Sequence, residues 1–181
     1  MIDSGDIKEF IQSLIIAGIL AFFIITFVAQ SFVVDGQSMA PSLHNGERLF
    51  VNKFIYRFRE PERYEVIVFT PEGAPRNRFI KRVIALPGET IYIRDGVTYI
   101  DGEPLREPYL KEEMHGDFGP SLVPEKKLFV MGDNRNHSAD SRIPTYVGFV
   151  DYKSISGKAF WVYWPLREMR VIDNKILYGT R

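Results

Sequence analysis

Cysteine is absent from this chain of 181 residues. No disulfide can staple the fold, and neither a thiolate nucleophile nor a thiolate-bound metal is open to it. Histidine is scarce. His44, His115 and His137 are the three present, and none lies in a pattern that marks a general base beside a serine. Gly-x-Ser-x-Gly is missing too. So are His-Glu-x-x-His and any carboxylate cluster at ligand spacing, so the sequence calls for no metal and no cofactor. An excess of one charge is also lacking. Basic and acidic residues both number 23, with no basic stripe or tail, which removes the electrostatic case for a nucleic-acid partner.

What is present begins with a single long apolar run. From Phe10 to Val34 no side chain is charged, a stretch of 25 residues. As one helix it would reach roughly 37 Å at about 1.5 Å per residue, against a hydrocarbon core of about 30 Å. A cleavable signal sequence fits poorly, because the run is too long, its lead-in is acidic (Asp3, Asp6, Glu9) and no small-x-small site follows. The expected organisation is an amino-terminal flank over 1–9, a transmembrane anchor over 10–34 and one β-rich catalytic domain over 35–181. Only Lys8 precedes the run while Arg48, Lys53, Arg57 and Arg59 follow it. That distribution does not by itself favour an outward domain.

Beyond the anchor the chain reads as β-structure. Val66 to Phe69, Arg82 to Ala85, Leu128 to Met131 and Ala159 to Tyr163 are short apolar or alternating runs bounded by turn residues. Thr90 to Arg94, then Asp95-Gly96, then Val97 to Ile100 is a hairpin signal, with Asp101-Gly102 offering a second turn. Glu103 to Lys127, with four Pro and two Gly, reads as an irregular excursion. Trp161 and Trp164 suit either core or a bilayer interface. The expected fold is mainly β: one barrel-like domain of antiparallel sheets behind one helix.

Three features bear on chemistry. Ser38 lies a few residues beyond the apolar run, between Gly36, which lets a backbone N–H approach a developing oxyanion, and the stiffening Pro41. Lys81 is the second. In a strand, Phe79, Lys81 and Val83 share one side while Ile80, Arg82 and Ile84 share the other. Apolar burial would lower the amine's pKa, ordinarily about 10.4, towards neutrality and make it a base; an edge lysine reaching water is the plainer alternative. The third is the polar run Gly132 to Arg142, read either as a turn network or as a loop that orients the lysine through Ser138.

These residues resemble bacterial type I signal peptidases of the compact single-anchor branch. The likeness runs in order through the anchor, Ser38 to Leu43 (SMAPSL), Arg63 to Phe69 (RYEVIVF), Lys81 to Glu89 (KRVIALPGE) and the Gly132 to Arg142 loop. It implies a membrane-bound serine endopeptidase that cuts signal peptides from exported preproteins after small residues (Ala-x-Ala), with its domain on the extracytoplasmic side and no metal. By that likeness Ser38 is the nucleophile, Lys81 the base, and Ser138 the positioner of the amine. Asp140 and Arg142 are the supporting pair, while the Ser38 and Gly36 N–H groups form the oxyanion hole. Phe32, Val34, Met39, Leu43, Phe79 and Ile80 are expected to line the substrate pockets. Tyr64-Glu65 departs from the family's Gly-Asp, and Ser42 and Glu89 replace a usual Thr and Asp. Two other readings are a Ser–Lys protease of the repressor type that cuts its own chain, and a non-enzymatic membrane-tethered β module.

Overall fold

The computed structural model describes residues 4–27 and 29–172, with side chains over 7–20 and 30–172. The first three residues of the expected flank, Val28 in the apolar run and residues 173–181 of the expected domain lie outside it. The fold is mainly β. One helix, α1 (Ser4–Phe27), is followed by β1 (Ala29–Val33), β2 (Arg48–Asn52), β3 (Val66–Phe69), β4 (Phe79–Ala85), β5 (Thr90–Arg94) and β6 (Val97–Ile100). Then come β7 (Glu103–Pro104), β8 (Phe118–Leu122), β9 (Lys127–Met131), β10 (Val150–Asp151), β11 (Ile155–Trp164) and β12 (Arg170–Val171).

The uncharged run is therefore divided. It does not continue as one helix to Val34, because Ala29–Val33 pairs antiparallel with β2, from Ala29 opposite Asn52 to Val33 opposite Arg48. Among the described residues no helix is long and apolar enough to cross a membrane.

The main sheet runs β1-β2-β11-β3-β4-β9-β10, with β12 on β11, and a smaller sheet runs β7-β6-β5-β8. The main path is open rather than closed, which leaves β1 at an edge. Strand alternation divides the core. Val66 and Val68 pack with Val34, Met39, Leu43, Leu49, Val51, Ala159 and Val162. Ile67 and Phe69 pack on the other face with Val83, Leu128, Val130, Val147 and Val150. Ile84, Phe129 and Met131 join Ile91, Ile93 and Val123 beneath the small sheet.

The hairpin turns at Asp95 and Gly96, with φ of 50° and 76°, as the primed two-residue turn demands. The excursion is not irregular throughout, since β8 within it pairs with β5. Tyr64 takes φ 71°, the left-handed conformation that the family's Gly would supply more easily. The tight turn is thus kept, and the Glu65 carboxylate beside it is buried against Arg59, Lys158 and Tyr56. Trp161 lies against Phe50, with ring centres 5.9 Å apart, while Trp164 is 48 % exposed.

Candidate active site

Three segments converge. The loop after β1 carries Ser38, β4 carries Lys81, and the polar loop after β9 supplies Gly132 to Arg142. Lys81 Nζ donates to Ser38 Oγ at 2.6 Å. The lysine is 4 % exposed, and its Nζ lies 5.3 Å from the centre of the Phe79 ring. Burial lowers its pKa from 10.5 to about 8, although Asp140 and Asp133 pull it upward. A neutral amine is thus within reach near physiological pH.

The neighbouring residue is treated in the opposite way. Arg82 points to the other side of β4, but that side is buried too. Its guanidinium meets Asp133 bidentately at 2.8 and 2.6 Å, donates to the Tyr64 carbonyl at 2.9 Å, and lies 4.4 Å from the Tyr109 ring centre. A buried cation without such a partner would be severely destabilising.

The polar loop fits against the serine. Asn134 N–H donates to the Ser38 carbonyl at 3.0 Å, and Asn134 Nδ2 to the Gln37 carbonyl at 3.3 Å. Gly132 has no room for a side chain: a Cβ there would stand 2.3 Å from both the Ser38 carbonyl oxygen and Ser138 Oγ. Asp140 is fully buried, accepts from Gly132 N–H at 3.1 Å and pairs with Arg142 at 2.8 and 2.9 Å. Arg142 in turn donates to the Arg135 carbonyl at 2.6 Å.

Four expectations need correction. Ser138 makes no hydrogen bond with the lysine; its hydroxyl is buried against the Gly132 backbone without a partner among the described residues. The Gly36 N–H is not an open oxyanion donor, because it donates to Asn45 Oδ1 at 2.8 Å. Met39 and Leu43 do not line the substrate pocket. Each is 1 % exposed and packs in the core beneath it, since the turn that presents Ser38 turns its apolar side chains inward. Phe32, Val34, Phe79 and Ile80 do border an open cleft of about 450 Å³ that also reaches Ser38, Lys81, Ala139, Arg76 and Arg78.

Sequence reasoning missed the Arg82–Asp133 pair and the attachment of Arg135 to Glu107 and Tyr109. The first had a signal: an arginine inside a strand with apolar neighbours on both faces needs a buried anion. No histidine hydrogen-bonds to Ser38 among the described residues; His137 Nδ1 is instead 3.2 Å from Asn134 Oδ1.

A hydroxyl in contact with a desolvated amine, on an antiparallel β scaffold, is what a serine hydrolase with lysine in place of histidine requires. The family comparison is more specific. The chain belongs to the signal peptidase family, peptidase S26, whose profile matches residues 7–164. A signal peptidase I of Bacillus licheniformis is 40 % identical over 176 residues, covering 91 % of this chain and 92 % of that one. Signal peptidase I S of Bacillus subtilis is 38 % identical over 175 residues, covering 91 % and 92 %. A solved signal peptidase I from Enterococcus faecalis V583 is 40 % identical and covers 55 % of this chain and 97 % of that one, with a TM-score of 0.48.

Proposed function

We propose that this enzyme is a membrane-anchored serine endopeptidase that removes amino-terminal signal peptides from exported preproteins, with Ser38 as nucleophile and Lys81 as general base. The observation that carries the reading is the 2.6 Å contact between Ser38 Oγ and an amine that is 4 % exposed. With the amine neutral, Oγ–H donates to Nζ. Ser38 Oγ attacks the carbonyl carbon after a small residue as Lys81 takes the hydroxyl proton. Lys81 then protonates the departing amine, leaving an ester on Ser38. In the second half Lys81 takes a proton from water as the water oxygen attacks the ester carbonyl carbon; the bond from that carbon to Ser38 Oγ breaks, Lys81 returns the proton to Oγ, and the new carboxyl terminus leaves. The Ser38 N–H, which has no partner among the described residues, faces no competitor as oxyanion donor.

Substrate would lie extended along the free edge of β1, adding main-chain hydrogen bonds, with small side chains over Phe32, Val34 and Ile80. Anchoring is supported by α1. Over the described residues that helix is not long and apolar enough to cross a bilayer, but its residues from Phe10 to Phe27 carry no charge. Phe10, Leu14, Ile15 and Ile19 are all exposed, as a lipid-facing helix requires. On the family likeness alone, since the flanking charges do not decide it, the active domain is proposed to stand on the extracytoplasmic side.

The test is processing of a preprotein by the full chain in detergent, beside Ser38→Ala and Lys81→Met. Both variants are expected to fold and to leave the preprotein whole; full cleavage by purified Lys81→Met would refute the mechanism. Because the chain has no cysteine, a single Glu112→Cys variant gives an unambiguous topology readout. An impermeant maleimide should label it in intact cells. The comparisons lend nothing to the self-cleaving or the non-enzymatic reading.

A further inference from the structure

We infer that Arg170, in the short strand β12, is a positioning residue that holds the nucleophile turn from the far end of the chain; this rests on Ser38 acting as proposed above. The turn from Gln37 to Leu43 has internal bonds, Ala40 N–H to the Gln37 carbonyl at 3.0 Å and Leu43 N–H to the Met39 carbonyl at 2.9 Å. These bonds tie the turn to itself, and none of its residues lies in a strand. Its remaining backbone groups must be satisfied from elsewhere.

Arg170 Nη2 donates to the Ser42 carbonyl at 2.6 Å and to Glu47 Oε2 at 2.8 Å, while Nη1 donates to Glu47 Oε1 at 2.8 Å. Glu47 is 3 % exposed, and its Oε2 also accepts the His44 N–H at 3.1 Å. One guanidinium thus spans the buried carboxylate and the turn's carbonyl, which a lysine's single nitrogen cannot do with the same geometry. On its other side, the Ser42 hydroxyl receives Arg82 Nη2 at 3.3 Å. Ser42 is therefore gripped between the strand that carries Lys81 and the strand that carries Arg170. The distance between Ser38 Oγ and Lys81 Nζ depends on both grips, and small displacements at a reacting centre are costly in rate.

The bland alternative is that Arg170 only neutralises Glu47, and a paired substitution separates the two. Preprotein cleavage by the full chain in detergent is measured for wild type, Arg170→Lys and the double variant Glu47→Gln/Arg170→Met, with melting temperatures. Arg170→Lys should lose about tenfold in kcat with KM within about twofold of wild type. The double variant, which buries no unpaired charge, should recover most of its melting temperature yet stay about tenfold or more down in kcat. Wild-type kcat in the double variant, or in Arg170→Lys, would overturn the inference. Failure of the underlying reading shows separately in the same assay, as a wild type no more active than Ser38→Ala.

Discussion

Replacing Lys81 by methionine should abolish cleavage and make the folded protein more stable at neutral pH. The amine is held at a pKa of about 8 against 10.5 in the unfolded chain. Below pH 8 both states carry the proton, so folding buries a charge that desolvation opposes, at a cost of about 3 kcal/mol. Between pH 8 and 10.5 the unfolded lysine still binds its proton while the folded one has released it. Stability therefore rises with pH across that window, and the penalty disappears near its upper end. Methionine fills similar volume without the charge but forfeits the hydrogen bond to Ser38, worth about 1 kcal/mol. The net gain is about 2 kcal/mol at pH 6.5, or about 4–8 °C in Tm for a chain of this size. The measurement is thermal unfolding of both proteins in the same detergent, followed by tryptophan fluorescence at a series of pH values. The Tm advantage of Lys81→Met should shrink steadily above pH 8. A variant no more stable than wild type at pH 6.5, or a gap that ignores pH, would refute the claim that burial depresses this amine.

Three further outcomes follow from the same geometry. Wild-type kcat/KM should climb with pH and reach half its plateau near pH 8, because the neutral amine is the active form; a flat profile from pH 6 to 9 would contradict it. Gly132→Ala should cut kcat by about 100-fold or more, since the added methyl meets the Ser38 carbonyl and Ser138 at once, and near-normal kcat would show that the loop yields. Asn45→Asp keeps the acceptor for Gly36 N–H and should stay within about threefold of wild type, whereas Asn45→Ala should lose about tenfold in kcat. The reverse order would mean that the Asn45 amide donates rather than accepts.

Local signals mark Ser38 and Lys81 one at a time, and it is the family likeness that joins them into a pair. Strand alternation sets Phe79, Lys81 and Val83 on one side, and Gly36 and Pro41 mark a tight turn. The strands at Val66, Leu128 and Ala159 are equally local, as is the Asp95-Gly96 hairpin. What escapes such reading is set by partners distant in the chain. β1 is a strand only because β2 pairs with it; its own residues, Ala29 to Val33, continue an apolar helical run. Met39 and Leu43 are core because the turn folds back over Val34 and Leu49. Glu47 meets a cation 123 residues away, which no window of sequence reveals. Gly36 loses its free N–H to a side chain nine positions on, a bond that depends on the loop's whole path.

Lys81 and Arg82 are adjacent, and the pleat of β4 sends them into two differently prepared compartments, one dry and one holding an anion. Registry is consequently part of the chemistry. A one-residue slip of that strand would turn Lys81 to the side of Asp133 and Arg82 to the side of the serine. A guanidinium, which never gives up its proton at working pH, would then lie on the serine's side, and the lysine would lie beside Asp133, whose carboxylate favours the charged ammonium. Deletions and insertions in β4 should therefore be tolerated far less than in the exposed stretch from Pro75 to Arg78, although both border the same cleft.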